Sequence, residues 1–438
     1  MNTVALYTLG CKVSQYETEA IAEGFEARGF RVVRFEDVAD VYVINTCTVT
    51  AESDRKSRQI IRRAIKKNPD ALVMVTGCYS QVSPDDLRAI RGVAYVGGTD
   101  RKMQLPDEAC RLLAARAAGN CLLPVCDVAA LEGIAFEKMS VKHAPRTRAY
   151  VKIEDGCECR CAYCAIPGAR GNVRSKEPAD VLAEVEGLIA GGTREIVLTG
   201  IEISSYGADL DGFRLIDLLE LLDRECTGVR FRLGSITPEV MREEFVLRLS
   251  RLSSIVPHFH ISMQSGSDAV LRGMKRRYNA KQALDALERL RDKIPDVRFT
   301  TDMMVGFPGE GEREFSETLA FTEQASFLDM HIFAYSRRKN TPAATYPNQV
   351  PEDIKRERSA VLIALASRLR DENLHDLIAK GKPLSVLFET REGEEMVGHS
   401  AEFAEVHTVT EEVLHGEIRC VLPTHTHDGI LYDTLLDD

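Results

Sequence analysis

AYVKIEDGCECRCAYC, residues 149–164, runs a short β-branched strand directly into four cysteines: Cys157, Cys159, Cys161 and Cys164. A disulfide needs two thiols and a closed tetrahedral zinc site needs four. Cys157, Cys161 and Cys164 have the spacing C-x3-C-x2-C, with the aromatic Tyr163 just before the last. Three thiolates on a four-iron cluster leave one iron without a protein ligand, and that position can take a cofactor or substrate. Cys159 could supply a fourth thiol, so zinc stays open as the alternative. A cysteine loop at the carboxyl end of a barrel strand sits on the catalytic face.

Working outward, EIVLTG, VRFRLGSI, HFHISMQSG, VRFTTDMMVGFPG and DMHIFAYS repeat the strand pattern, separated by segments of helical spacing. With AYVKIEDG they make six units over roughly 200 residues and predict a partial or full β/α barrel, residues 149–375. EDIKRERSAVLIALASRLRDENLHDLIAK is a helical run that closes this region. Residues 381–438 read as short strands with turns, a small β-barrel. Upstream, TVALYTLGC, DVYVINTC and ALVMVTGC alternate with the helical SQYETEAIAEGFEARGF and AESDRKSRQIIRRAIKKN. That order predicts an α/β domain with an open parallel sheet over residues 1–135. A looser stretch containing Pro145 places a linker at 136–148.

Cys11, Cys47 and Cys78 end three of the predicted strands, in TLGC, INTC and VTGC. The carboxyl ends of parallel strands share one edge, where ligands bind. Topology thus gathers three distant thiols, and small neighbours (Gly10, Thr46, Gly77) leave room for a bulky inorganic cluster. Buried, inert cysteines are the bland alternative for any one of them. Cys110, Cys121, Cys126, Cys226 and Cys420 are expected to be packing residues.

The chain has 438 residues, twelve cysteines and a net charge of −11. No apolar run is long enough to cross a bilayer and the start lacks a signal-peptide layout, so a cytoplasmic protein is expected. Twelve cysteines in a long, core-rich chain favour metal binding over a secreted disulfide framework. From Gly381 onward three basic residues face thirteen acidic ones, a charge of −10, leaving the first 380 residues at −1.

The C-x3-C-x-aromatic-C motif after a first β/α strand resembles the signature of the radical S-adenosylmethionine superfamily. The resemblance implies that S-adenosylmethionine chelates the open iron and is cleaved to a 5′-deoxyadenosyl radical. It further implies cofactor-binding roles for Tyr163, for the glycine pair Gly191 and Gly192, and for Thr199, Gly200 and Glu202. Arg232 and Ser235, then His260, Ser262, Gln264, Arg276 and Asp302, complete that implied set. Ser265, Gly266 and Gly306 lie in the same strand-end segments.

A three-cysteine α/β domain before such a barrel and a small β domain after it resembles the methylthiotransferases of that superfamily, over essentially the whole chain. The resemblance implies a second [4Fe–4S] cluster on Cys11, Cys47 and Cys78, two clusters facing a shared cavity, and an electron donor such as flavodoxin or ferredoxin. YTLGCKVSQYETEAI, VINTCTVTAESDRKSRQIIRRAIKKNP and VTGCYSQ are most similar to the branch acting on N6-threonylcarbamoyladenosine at position 37 of tRNA. The branches acting on isopentenyladenosine of tRNA or on an aspartate of a small-subunit ribosomal protein are the alternatives. A metal-dependent RNA-binding protein without catalysis is the reading from another class. Arg55, Arg58, Arg62, Arg63, Lys66 and Lys67 on one helix, with Lys275, Arg276, Arg277, Arg337, Arg338 and Lys339, suit the phosphates of a tRNA anticodon stem-loop. The resemblance puts an RNA-assisting TRAM domain at 381–438, but a module at −10 should repel phosphate.

Overall fold

VYVINT (Val41–Thr46) and LVMVTG (Leu72–Gly77) are buried at every residue, as central strands of a parallel sheet must be when helices cover both faces. The computed structural model describes residues 1–120 and 123–436; Cys121, expected to pack, lies outside the described residues. The chain forms two compact units.

The first unit comprises residues 1–142, 150–176 and 336–344. Along it run β1 (Thr3–Thr8), α1 (Lys12–Glu26), β2 (Arg31–Val33), β3 (Val41–Thr46), α2 (Ala51–Lys67), β4 (Leu72–Gly77), α3 (Cys78–Val82), α4 (Pro84–Arg88), β5 (Val93–Gly97), α5 (Leu105–Ala117) and β6 (Val125–Asp127). These six strands are all parallel, in the order β2-β1-β3-β4-β5-β6. Strand alternation splits the core between two faces. Tyr42, Ile44, Val73 and Val75 pack with Ile61 and Ala64 of α2. Val41, Val43, Leu72 and Met74 pack with Ile21 and Phe25 of α1 and Leu105 and Leu112 of α5.

The start of α2 is fixed by Thr50, whose side chain accepts the Ser53 N–H at 3.1 Å. Glu52 and Asp54 in its first turn and Lys66 and Lys67 in its last complement the helix dipole. The expected linker is not loose throughout. Met139 and Val141 pack on Tyr16 and Ala20 of α1, and the Tyr16 hydroxyl donates to the Met139 carbonyl at 2.9 Å. Farther on come β7 (Arg148–Lys152), β8 (Glu154–Asp155), α6 (Ile166–Arg170) and β9 (Arg174–Ser175), with β8 and β9 antiparallel.

The second unit comprises residues 143–149, 177–335 and 345–438. It contains α7 (Pro178–Ala190), β10 (Glu195–Thr199), α8 (Leu215–Glu225), β11 (Arg230–Leu233), β12 (Ser235–Ile236), α9 (Glu243–Leu249), β13 (His258–Gln264), α10 (Asp268–Gly273), α11 (Ala280–Lys293), β14 (Arg298–Val305), α12 (Glu312–Ala325), β15 (Asp329–Ala334) and α13 (Glu352–Lys380). β10 and β11 pair in parallel, and β12-β13-β14-β15 form a second parallel sheet. The strand–helix alternation therefore makes the partial form of the predicted barrel. α13 ends at Gly381, whose left-handed backbone (φ +59°) terminates the helix.

β16 (Leu384–Glu392), β17 (Glu395–Ser400), β18 (Glu405–Val409), β19 (Ile418–His427) and β20 (Ile430–Leu435) close into a barrel of order β16-β17-β18-β20-β19. Val386, Phe388, Val406, Val421 and Leu431 fill it, joined by Leu374 and Leu377 of α13. Among the described residues no helix is long and apolar enough to cross a membrane.

Candidate iron–sulfur and cofactor sites

β1, β3 and β4 are neighbours in the first sheet, and their registers bring Cys11, Cys47 and Cys78 to one edge. Thr8 faces Asn45 across β1 and β3, and Thr46 faces Gly77 across β3 and β4. Gly77 has φ +103°, and a Cβ there would fall on the Thr46 carbonyl oxygen; only glycine lets β4 turn so tightly into Cys78. A Cβ on Gly10 would lie 3.2 Å from the Cys47 Cβ, so the Cys11 and Cys47 loops are in contact. Cys47 and Cys78 are buried and Cys11 is exposed. Burial pushes the Cys47 thiol up to about 11, with Cys78 and Cys11 adding to the shift as neighbouring anions. A cationic iron core would relieve that repulsion.

The second cysteine set is held in a loop closed at its base by β8 and β9. The Cys157 N–H donates to the Gly171 carbonyl at 3.0 Å, and the Cys164 N–H to that of Cys161 at 3.1 Å. Two sulfurs accept backbone hydrogen bonds: Cys157 Sγ from the Cys159 N–H and Cys164 Sγ from the Ile166 N–H, each at 3.4 Å. Such bonds suit thiolate ligands of an iron–sulfur cluster, whose charge they stabilise. Cys159 takes part here through its backbone. Among the described residues no group of three Cys, His, Asp or Glu side chains is placed to hold a single metal ion.

Beneath both cysteine sets lies a buried charged network. Arg170 donates to Glu17 at 2.5 Å and to Asp155 at 3.1 Å. Lys152 pairs with the same two carboxylates at 2.9 and 2.6 Å, Lys102 pairs with Glu17, and Arg174 reaches Asp155 at 3.4 Å. Burial alone would raise Glu17 and Asp155, but the surrounding cations hold Glu17 well below the usual carboxylate range and Asp155 at about 2. Sequence reasoning missed this network. The available signals were Lys152 inside the apolar run AYVKI and Glu17 on the buried face of α1.

In the second unit, Thr199 ends β10, Glu202 is buried, and burial raises its carboxyl. Gly191 closes α7 and Gly192 follows at φ +92°. Ser235 lies opposite His260 in the β12–β13 register. His260 Nε2 is 3.3 Å from Asp302, and His331 Nδ1, which the sequence reading did not single out, lies 3.3 Å from the other Asp302 oxygen. Burial would raise Asp302, but the two imidazoles hold it below its ordinary value. Arg276 donates to the Ser262 carbonyl at 2.8 Å, and Gln264 carries a left-handed backbone, φ +73°. Ser235, His260, Ser262, Gln264 and Asp302 thus share one parallel sheet. Tyr163 belongs to the first unit, with the six cysteines.

Arg232 is placed otherwise than expected. Its guanidinium donates to Glu195 at 2.9 Å and to the carbonyls of Ser400 and Ala401 at 3.2 and 3.1 Å, and it lies over the Phe403 ring. Arg148 and Arg230 also pair with Glu195, at 2.7 and 2.6 Å. Burial raises Glu195, but Arg232, Arg230 and Arg148 together pull it far below the usual range. Arg232 thus anchors the C-terminal barrel, because it shares a strand face with Arg230. Of the cysteines expected to pack, Cys226 is buried; Cys110, Cys126 and Cys420 are exposed, on surface positions of α5, β6 and β19.

The profile of the Radical SAM superfamily matches residues 151–322, and that of Uncharacterized protein family UPF0004 matches residues 3–98. The chain is 41% identical over 411 residues to "Threonylcarbamoyladenosine tRNA methylthiotransferase MtaB" of Bacillus subtilis (strain 168), covering 93% of this chain and 90% of the relative. It is 34% identical over 364 residues to "tRNA-2-methylthio-N(6)-dimethylallyladenosine synthase" of Staphylococcus aureus (strain MRSA252), covering 81% and 70%. The radical S-adenosylmethionine methyltransferase TsrM from Kitasatospora setae, solved with tryptophan substrate and a SAM analog, shares the fold. It superposes with a TM-score of 0.58 at 17% identity, over 78% of this chain and 75% of that one.

Proposed function

Because this chain belongs to the radical S-adenosylmethionine methylthiotransferase family, we propose that it converts N6-threonylcarbamoyladenosine at position 37 of tRNA to its 2-methylthio derivative. The observation that carries this choice of substrate is the 41% identity, across 93% of the chain, to the Bacillus subtilis relative of that name. The dimethylallyladenosine relative stands at 34% over a smaller share and makes isopentenyladenosine the second reading.

We assign one [4Fe–4S] cluster to Cys157, Cys161 and Cys164 and a second to Cys11, Cys47 and Cys78. When bound, the first supplies the electron that cleaves S-adenosylmethionine and the second carries the sulfur to be transferred. The chain's own residues hold and shield these groups. Backbone N–H groups of Cys159 and Ile166 stabilise thiolate charge, and Gly77 gives the tight turn that places Cys78. Binding of S-adenosylmethionine is assigned to Tyr163, Gly191, Gly192, Thr199, Gly200, Glu202, Ser235, His260, Ser262, Gln264, Arg276 and Asp302. The half-buried Asp302 carboxylate and its two imidazoles can hold a cationic group or exchange a proton.

tRNA phosphates are assigned to α2 and its surroundings. Arg62, Lys66 and Arg91 line an open cleft of about 510 Å³ with Asp86, and none of the three cations has a carboxylate partner among the described residues. The acidic C-terminal barrel is read as a packing module, in keeping with its seat on Arg148, Arg230 and Arg232. We retain the division into an auxiliary-cluster domain (1–135), a radical domain (149–375) and a terminal barrel (381–438), a cytoplasmic location, and a flavodoxin or ferredoxin as reductant. Nucleoside analysis of tRNA from a deletion strain tests the assignment: 2-methylthio-N6-threonylcarbamoyladenosine should disappear and return on complementation. Loss of the 2-methylthio isopentenyl nucleoside instead would move the enzyme to the other tRNA branch.

A further inference from the structure

One guanidinium touches the supports of both cysteine sets. Arg170 ends the short helix after Cys164 and is fully buried. Its Nε–H donates to the sulfur of Cys78 at 3.3 Å. Its Nη1 donates to Glu17 at 2.5 Å and to both Asp155 oxygens at 3.1 and 3.2 Å, and its Nη2 donates to Glu17 at 3.1 Å. Glu17 stands on α1, the helix that Cys11 begins, and Asp155 stands just ahead of Cys157.

The charge of this network points the same way. Its ion pairs join four basic side chains, Lys102, Lys152, Arg170 and Arg174, to two acidic ones, Glu17 and Asp155. All six are buried. A buried guanidinium is tolerated only where its donors are paired, so its Nε–H also calls for an acceptor. The Cys78 sulfur, on Nε, the guanidinium nitrogen that donates to neither Glu17 nor Asp155, is that acceptor.

We propose that Arg170 is the positioning residue that sets the electron affinity of the cluster on Cys11, Cys47 and Cys78. A charged N–H bond to a ligand sulfur stabilises the more negative, reduced state and so raises the reduction potential. The five donors of the guanidinium orient it: four bonds to carboxylates fix its plane and leave Nε aimed at the sulfur. The inference rests on the reading of these three cysteines as cluster ligands.

The test uses the full-length chain carrying C157A, C161A and C164A, so that only the other cluster can form, reconstituted anaerobically. A redox titration followed by electron paramagnetic resonance compares this parent with versions also bearing Arg170→Gln or Arg170→Lys. The expected result is a cluster in each, about four irons per chain, with a more negative potential in Arg170→Gln and an intermediate one in Arg170→Lys. Equal potentials in all three overturn the inference. Should the substitutions block folding or loading, the parent labelled with ¹⁵N-arginine decides by electron–nuclear double resonance. A ¹⁵N coupling to the reduced cluster is expected, and its absence overturns the inference. A parent that binds no iron overturns instead the ligand reading beneath it.

Discussion

Phe403 lies face to face with His258, ring centroids 4.5 Å apart and planes inclined by 19°. The contact joins the turn between β17 and β18 to the start of β13. Phe403 holds a left-handed backbone (φ +77°) and receives the guanidinium of Arg232 at 5.0 Å, with His399 at 5.1 Å on another side. This ring is the apolar centre of the seat for the terminal barrel. Phe403→Ala is expected to cost about 1–3 kcal/mol, less than a fully buried phenylalanine because the ring is only partly covered. Limited proteolysis should release the barrel faster than in the parent chain; an unchanged cleavage rate contradicts this seat.

Glu195 pairs with three arginines at once, so its loss should cost more. Glu195→Gln strips the anion from buried Arg232 and half-buried Arg230 and leaves Arg148 only Glu389, 3.1 Å away, a change of about 3–5 kcal/mol. The pH dependence has a definite sign. Glu195, Glu17 and Asp155 are all held below their unfolded values. Their contribution is complete above roughly pH 4.5 and is lost as pH falls toward the folded values. Urea midpoints of parent and Glu195→Gln should differ most at neutral pH and converge between about pH 4.5 and 2. A constant difference across that window contradicts the ion-pair account.

Cys159 offers its backbone, so side chain and N–H can be tested separately. Cys159→Ser should retain iron content and reductive cleavage of S-adenosylmethionine. Cys159→Pro removes the N–H donated to Cys157 Sγ and should lower cluster yield. Cys157→Ala, Cys161→Ala and Cys164→Ala should abolish cleavage. A Cys159→Ser chain without the cluster would show that the ligand set is misassigned.

Cys11→Ala, Cys47→Ala and Cys78→Ala should separate the two activities. Cleavage of S-adenosylmethionine should persist while methylthiolation of tRNA is lost. Single-turnover assays measure both products in one reaction, and retained methylthiolation would remove these cysteines from the sulfur-carrying role.

Arg62→Ala, Lys66→Ala and Arg91→Ala should weaken tRNA binding without changing cleavage of S-adenosylmethionine in its absence. Each lost phosphate contact should lower the slope of log affinity against log salt by about 0.7–0.9. An unchanged slope in the triple variant places the RNA elsewhere.

The three-cysteine edge was legible in the sequence because parallel strands end on one side, so TLGC, INTC and VTGC could be aligned before any coordinate. The loop at Cys157 was legible from spacing alone. Arg232 was not: alternation tells which face of β11 it occupies but not what packs against that face. Only the fold brings Glu195 and the turn at Phe403 there. Arg170 and Glu17 are 153 residues apart, and their direct pairing leaves no local pattern. Exposed Cys110, Cys126 and Cys420 show the limit of inferring burial from residue type.

The unit that holds all six cysteines is stitched from three separate stretches of chain. Its last piece, residues 336–344, binds back through Arg338, which donates to Asp54 across 284 residues at 2.7 Å, and through the Ala343 N–H, which donates to the Ala162 carbonyl inside the Cys161–Cys164 turn. On the ribosome, residues 336–344 must therefore have emerged before this unit can close. Iron delivery timed to that closure, rather than to the emergence of each cysteine, would keep nascent thiols from trapping metal in partial sets.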